Sequence, residues 1–96
     1  MKNLNKKIKC YDSGEKYIDR YTVVFLECPE REKGTYSAVG MSEYPFSPQG
    51  FGQHTTAAVG RHLGKKIDFN ALPEDCKKLV LRDLEDIAKN TEQTGL

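Results

Sequence analysis

The run Tyr21–Leu26, YTVVFL, constrains this chain most, because both of its alternating side-chain sets are largely apolar. Tyr21, Val23 and Phe25 form one set; Thr22, Val24 and Leu26 form the other. Such a strand belongs in the middle of a sheet and needs a cover on each face. It reads as the C-terminal half of a longer strand, Tyr17–Glu27, built from aromatic and β-branched residues. Pro29 is expected to stop it, and Glu30–Gly34 reads as a solvated hairpin loop before a return strand over Thr35–Met41. Ile8–Tyr11 reads as a short strand ending at the turn signal Asp12-Ser13-Gly14, and Lys65–Phe69 as another. Thr55–Leu63 fits either a short helix interrupted at Gly60 or the start of another strand.

One of the two covers is plain. Cys76, Leu79, Val80, Leu84, Ile87 and Ala88 recur at three- and four-residue intervals, the stripe of an amphipathic helix over Pro73–Lys89. Pro73 suits the first helical position, and Glu74 and Asp75 suit the positive end of the helix dipole. Glu74–Lys78 and Arg82–Asp86 have the spacing of i,i+4 ion pairs. Strands first and one long helix last give an α+β fold: a small antiparallel sheet of three to four strands packed by one C-terminal amphipathic helix. The second face has no such cover. An aromatic loop or a second copy of the chain is expected to close it, which makes a homodimer one expected state.

The chain has 96 residues, enough for a single domain, 1–96, with one modest core and no deep cavity beside it. Residues 1–7 read as a flexible basic arm and 90–96 as a frayed tail. No apolar run is long enough to span a bilayer, and the basic N-terminus leads into no secretory h-region. The three cysteines, Cys10, Cys28 and Cys76, are odd in number and widely spaced, which fits a reduced cytoplasmic protein. A net charge of +1 argues against a general polyanion binder.

The candidate site is the loop 42–56. Between Gly34 and Gly60 the only charged residue is Glu43, yet the segment holds Tyr44, Phe46 and Phe51 among glycines and prolines. Disordered segments are poor in aromatics, so the loop is expected to be structured. Rigid aromatics beside adaptable polar groups make an interface, and Tyr44, Phe46, Gln49, Phe51, Gln53 and His54 are the partner-binding candidates. The competing reading makes Phe46 and Phe51 plugs of the core.

Other clusters carry less. Lys2, Lys6, Lys7 and Lys9, with Arg61, His62, Lys65 and Lys66, could contact phosphates; Lys6, Lys7, Arg61, Lys65 and Lys66 are the phosphate-contacting candidates. Asp19 and His54 could form an acid–base pair if the loop folds over the right sheet face. His54 and His62 lack metal-ligand spacing, no glycine-rich phosphate fingerprint is present, and no cofactor is implied.

Two stretches, YDSGEKYIDRYTVVF at Tyr11–Phe25 and GMSEYPFSPQGFGQH at Gly40–His54, resemble segments of a family of short bacterial and bacteriophage proteins with no assigned activity. The similarity continues through HLGKKIDFNALPED at His62–Asp75 and so covers most of the chain. The resemblance implies a small intracellular protein of mobile-element origin and supplies no catalytic residues. The leading expectation is a non-enzymatic interaction module that presents the loop 42–56 to a protein partner. The alternatives are a nucleic-acid-binding accessory protein using residues 2–9 and 61–66, and a small enzyme using Asp19 and His54.

Overall fold

The computed structural model describes residues 7–94 in backbone and residues 7–88 in side-chain burial. The α+β expectation holds, with five strands rather than three or four: β1 (Ile8–Asp12), β2 (Tyr21–Pro29), β3 (Tyr36–Met41), β4 (Gly52–Ala57) and β5 (Lys65–Ile67). Short 3-10 turns occupy Arg61–Leu63 and Phe69–Ala71, and one helix, α1, spans Glu74–Thr94. The helix runs five residues beyond the expected end at Lys89. The sheet order is β4-β3-β2-β1-β5, antiparallel throughout, with β2 at the centre.

The expected strand Tyr17–Glu27 begins four residues late, at Tyr21, and a side-chain bracket is the reason. Arg20 donates from Nε and Nη2 to the two carboxylate oxygens of Asp12 at 2.9 and 3.1 Å. Ser13 donates its backbone N–H and its hydroxyl to the Arg20 carbonyl at 2.8 and 3.0 Å. These bonds clamp the base of the β1–β2 connection and turn Tyr17 and Ile18 out to solvent. At the other end the strand stops at Pro29 as expected, with Pro29 as its last rung opposite Tyr36, past a register shift between Val24 and Pro29.

α1 covers the first face. Its first i→i−4 bond runs from Lys77 N to the Pro73 carbonyl at 3.0 Å, so Pro73 stands at the helix threshold as its fixed φ favours. Cys76, Leu79 and Val80 pack with Ile8, Cys10, Tyr21, Val23, Phe25, Val39 and Met41 in one buried cluster. Val80 and Leu79 each contribute about 1.5–3 kcal/mol of burial before chain entropy is subtracted. On the outer helix face, Glu74 pairs with Lys77 at 3.3 Å rather than with Lys78, and Arg82 lies over an aromatic ring instead of bonding Asp86.

The second face is closed by the chain itself. β4 and β5 are the two edge strands and run in the same direction, so residues 58–64 must cross from one edge to the other. Four strand spacings make a lateral crossing of about 19 Å, and Ala57 stands five residues along β4 from the level of Lys65, so the diagonal is about 25 Å. The eight Cα steps from Ala57 to Lys65 reach at most about 28 Å, which leaves no length for a detour. The segment therefore lies as a strap on the face opposite α1. Leu63 packs there against buried Tyr11, Val24 and Ala38, with Leu26, Tyr36 and Ala57 around them. Gly64 makes the landing: its φ is +113°, and a Cβ there would sit 2.5 Å from the Asp12 carbonyl oxygen. Thr55–Leu63 is thus not the interrupted helix, and its strand residues are the end of β4 rather than the start of a strand; the strap and a 3-10 turn follow.

Candidate functional site

The loop between β3 and β4 is pinched at its base. Ser42 N–H donates to the Phe51 carbonyl at 2.8 Å, and Phe51 N–H donates to Ser42 Oγ at 2.9 Å. Two consecutive turns fill the interior, with Ser47 N–H to the Tyr44 carbonyl at 3.1 Å and Gly50 N–H to the Ser47 carbonyl at 2.8 Å. Gly50 is obligatory here, because a Cβ would collide with the Tyr44 carbonyl oxygen. The Cys76 thiol donates to the Ser42 carbonyl at 3.2 Å and so ties the loop base to α1. The expectation of a structured loop is met, but the irregular part shrinks to residues 42–51, because 52–57 is strand.

The candidate residues divide between the two sheet faces. Tyr44 and Phe46 are exposed, at 60% and 46%. Phe46 carries the Arg82 guanidinium 5.2 Å above its ring, on the α1 side. Phe51 is half-buried and its ring reaches the opposite face, close to where a Cβ on Gly40 would lie. The plug reading therefore describes Phe51, and the surface reading describes Tyr44 and Phe46. Gln49 is exposed within the second turn. Gln53 and His54 are exposed neighbours on β4 and point to opposite faces.

His54 Nε2 lies 2.9 Å from Asp83 Oδ2, joining β4 to α1. Asp83 is buried to 9% exposure, on the apolar stripe of the helix. The proposed Asp19–His54 pair does not form: Asp19 lies over Gly40, on the face opposite α1, so the sheet separates the two side chains. Cys10 and Cys76 are poor nucleophiles, since burial pushes each thiol up to about 12. Among the described residues no group of three or more His, Cys, Asp or Glu side chains could hold a metal ion.

Of the phosphate-contacting candidates, Lys6 lies outside the described residues. Lys7, Arg61, Lys65 and Lys66 are all exposed. Lys65 and Lys66, adjacent in β5, point to opposite faces, and Lys65 faces the carboxylate of Asp12, whose charge it helps hold. They do not form one basic surface.

A second feature was not anticipated. Ile18 and Tyr17, read as strand, are with Tyr44 the most exposed large apolar side chains among the described residues, at 67% and 57%. With Glu15, Arg20, Ser42 and Glu43 they line an open groove of about 350 Å³ between the β1–β2 and β3–β4 connections. Tyr44 follows directly, and its hydroxyl is raised above the ordinary tyrosine range by a hydrogen bond with Glu43. The chemical signal in the sequence was the pair Asp12/Arg20, whose salt bridge marks Glu15–Asp19 as a loop rather than a strand. Among the described residues no helix is long and apolar enough to cross a membrane. No family model, curated protein or solved structure matches this chain.

Proposed function

We propose that the protein is a non-enzymatic interaction module that binds a protein partner through one end of its sheet. The observation that carries this reading is the exposure of Tyr17, Ile18, Tyr44 and Phe46 together in a chain whose two sheet faces are already closed. Monomeric proteins scatter single apolar residues over their surfaces, but several large ones on two adjacent, internally bonded loops form a recognition patch. Both loops are held rigid, the first by the Asp12–Arg20 bracket and the second by the Ser42–Phe51 pinch. Rigidity lowers the entropy lost on binding. The partner this surface suits is apolar at its centre, with a cation or amide to meet Glu15 and Glu43. A host or regulatory protein encountered by a mobile element would fit the resemblance noted above.

The test is recovery of partners from a lysate of the organism that encodes the protein, comparing wild type with Tyr44→Ala/Phe46→Ala. The double variant should keep its far-ultraviolet circular dichroism and recover no partner. Equal recovery by both proteins would remove the loop from the interface. A Phe51→Ala variant serves as the contrast. Its ring is half-buried, so it should lose stability more than either exposed position does.

A further inference from the structure

The two edges of this sheet are built differently. β5 is three residues long and carries Lys65 and Lys66, the short charged edge by which proteins discourage strand pairing. β4 is six residues long, GQHTTA, with no Lys, Arg, Asp, Glu or Pro. Residues 52–56 are exposed. Among the described residues no backbone hydrogen bond reaches β4 from its outer side. An unprotected edge is a template for another strand.

The pairing pattern says which groups that edge offers. The bond from Ser42 N–H to the Phe51 carbonyl fixes Ser42 and Phe51 as a hydrogen-bonded pair. In an antiparallel ladder such pairs alternate, so Gln53, Thr55 and Ala57 bond inward to Gly40, Ala38 and Tyr36. Gly52, His54 and Thr56 therefore turn their N–H and C=O groups outward. These three positions are spaced symmetrically about His54. A twofold axis at His54 would pair it with its own copy and Gly52 with Thr56 of that copy, satisfying every outward group in one register.

We infer that β4 is the edge through which two copies of this chain associate, antiparallel and centred on His54, to give a sheet continuous across the dimer. Charge selects a second copy as the occupant. In an isologous contact each side chain lies near its own twin or its register partner. Like charges opposite one another in a ladder are unfavourable, so an edge carrying Lys65 and Lys66 resists self-pairing and a neutral β4 does not. The same register sets Gln53 against Thr55, two uncharged side chains, on the face opposite α1. Since strands paired about a twofold perpendicular to the sheet keep their faces, both α1 helices lie on one side. This inference concerns the edge and not the Tyr44–Phe46 loop, and it stands or falls separately from the proposed function.

Sedimentation equilibrium from about 1 µM to about 1 mM tests it. Wild type should move from the 10.9 kDa chain mass to twice that value as concentration rises. Thr56→Pro removes an outward N–H and no rung to β3, and Gln53→Lys/Thr55→Lys puts lysines against lysines while leaving the backbone alone. Both variants should weaken association roughly tenfold or more with unchanged circular dichroism. If Thr56→Pro unfolds, the lysine variant decides. Amide exchange supplies a second readout: His54 and Thr56 should gain protection with concentration, while Thr55 is protected throughout. A wild type that stays monomeric across the range would overturn the inference. So would a dimer that persists in the lysine variant.

Discussion

The strap over the second sheet face can be tested at Gly64. The same substitution to Ala can be made at Gly14, Gly34 and Gly64, which all have positive φ, at +100°, +89° and +113°. A left-handed conformation costs a residue with a Cβ about 1–2 kcal/mol wherever it occurs. At Gly14 and Gly34 nothing lies within 4 Å of the added methyl, so that cost stands alone. A smaller unfolded-state entropy offsets part of it, leaving about 1 kcal/mol or less. At Gly64 the methyl meets the Asp12 carbonyl oxygen at 2.5 Å and Ser13 Cα at 2.6 Å. Both are backbone atoms and cannot rotate aside, so the strap must lift or the end of β1 must move. Overpacking of that kind costs a further 1–3 kcal/mol or so. A 96-residue chain has roughly 5–14 kcal/mol in total. Thermal denaturation followed by circular dichroism should show Gly64→Ala losing roughly 10–25 °C and Gly14→Ala about 5 °C. A lifted strap also uncovers Tyr11, Val24 and Ala38, so Gly64→Ala should bind a hydrophobic dye where Gly14→Ala does not. Equal losses at the two positions, without dye binding, would refute the account of a strap pressed onto β1.

Two further outcomes follow from the titratable groups. The hydrogen bonds from Arg20 hold the Asp12 carboxyl below the ordinary aspartate range in the folded state. A depressed folded value adds stability above the unfolded value of about 4 and loses it on acidification. Asp12→Asn should therefore cost about 1 kcal/mol in urea denaturation at pH 7, and the gap to wild type should close near pH 2. A gap that is unchanged in acid would mean that the charge is not its source. The thiols give the second outcome. Burial raises Cys10 and Cys76 to about 12, while Cys28 is only partly covered. A disulfide reagent at pH 8 should modify Cys28 first and the other two only in denaturant, as followed by mass spectrometry of the labelled peptides. Rapid native labelling of Cys76 would show that the loop base it bonds opens readily.

Local pattern was enough where an element declares itself locally. β1, β3 and the start of α1 lie within a residue or so of expectation because alternation, turn residues and the Pro-Glu-Asp helix start are properties of a few adjacent residues. β4 was hidden for a physical reason. An edge strand exposed on both faces needs no apolar alternation, so GQHTTA looks like loop, and only its pairing with β3 makes it a strand. Tyr17 and Ile18 mislead in the other direction. Their strand propensity is high, but a salt bridge between residues eight apart closes the chain around them. Asp83 is the site residue the sequence announces without explaining: an acid on the apolar stripe of a helix asks for a buried partner, and His54 is that partner.

The two-faced strand YTVVFL demanded two covers, and how the chain supplies them decides which surfaces stay exposed. A helix takes one face, and the other falls to a seven-residue strap drawn diagonally between the outermost strands. That strap is possible only because β4 and β5 occupy opposite edges, so the same crossing that closes the core leaves β4 as the long neutral edge and β5 as the short basic one. Both faces are then spent on stability. The two proposed interaction surfaces then fall on the rim: the end of the sheet, where the Asp12–Arg20 bracket and the Ser42–Phe51 pinch hold Tyr17, Ile18, Tyr44 and Phe46 in solvent, and the outer side of β4. In a domain this small, closing the core and placing the proposed binding surfaces are therefore one decision, made by the route of residues 58–64.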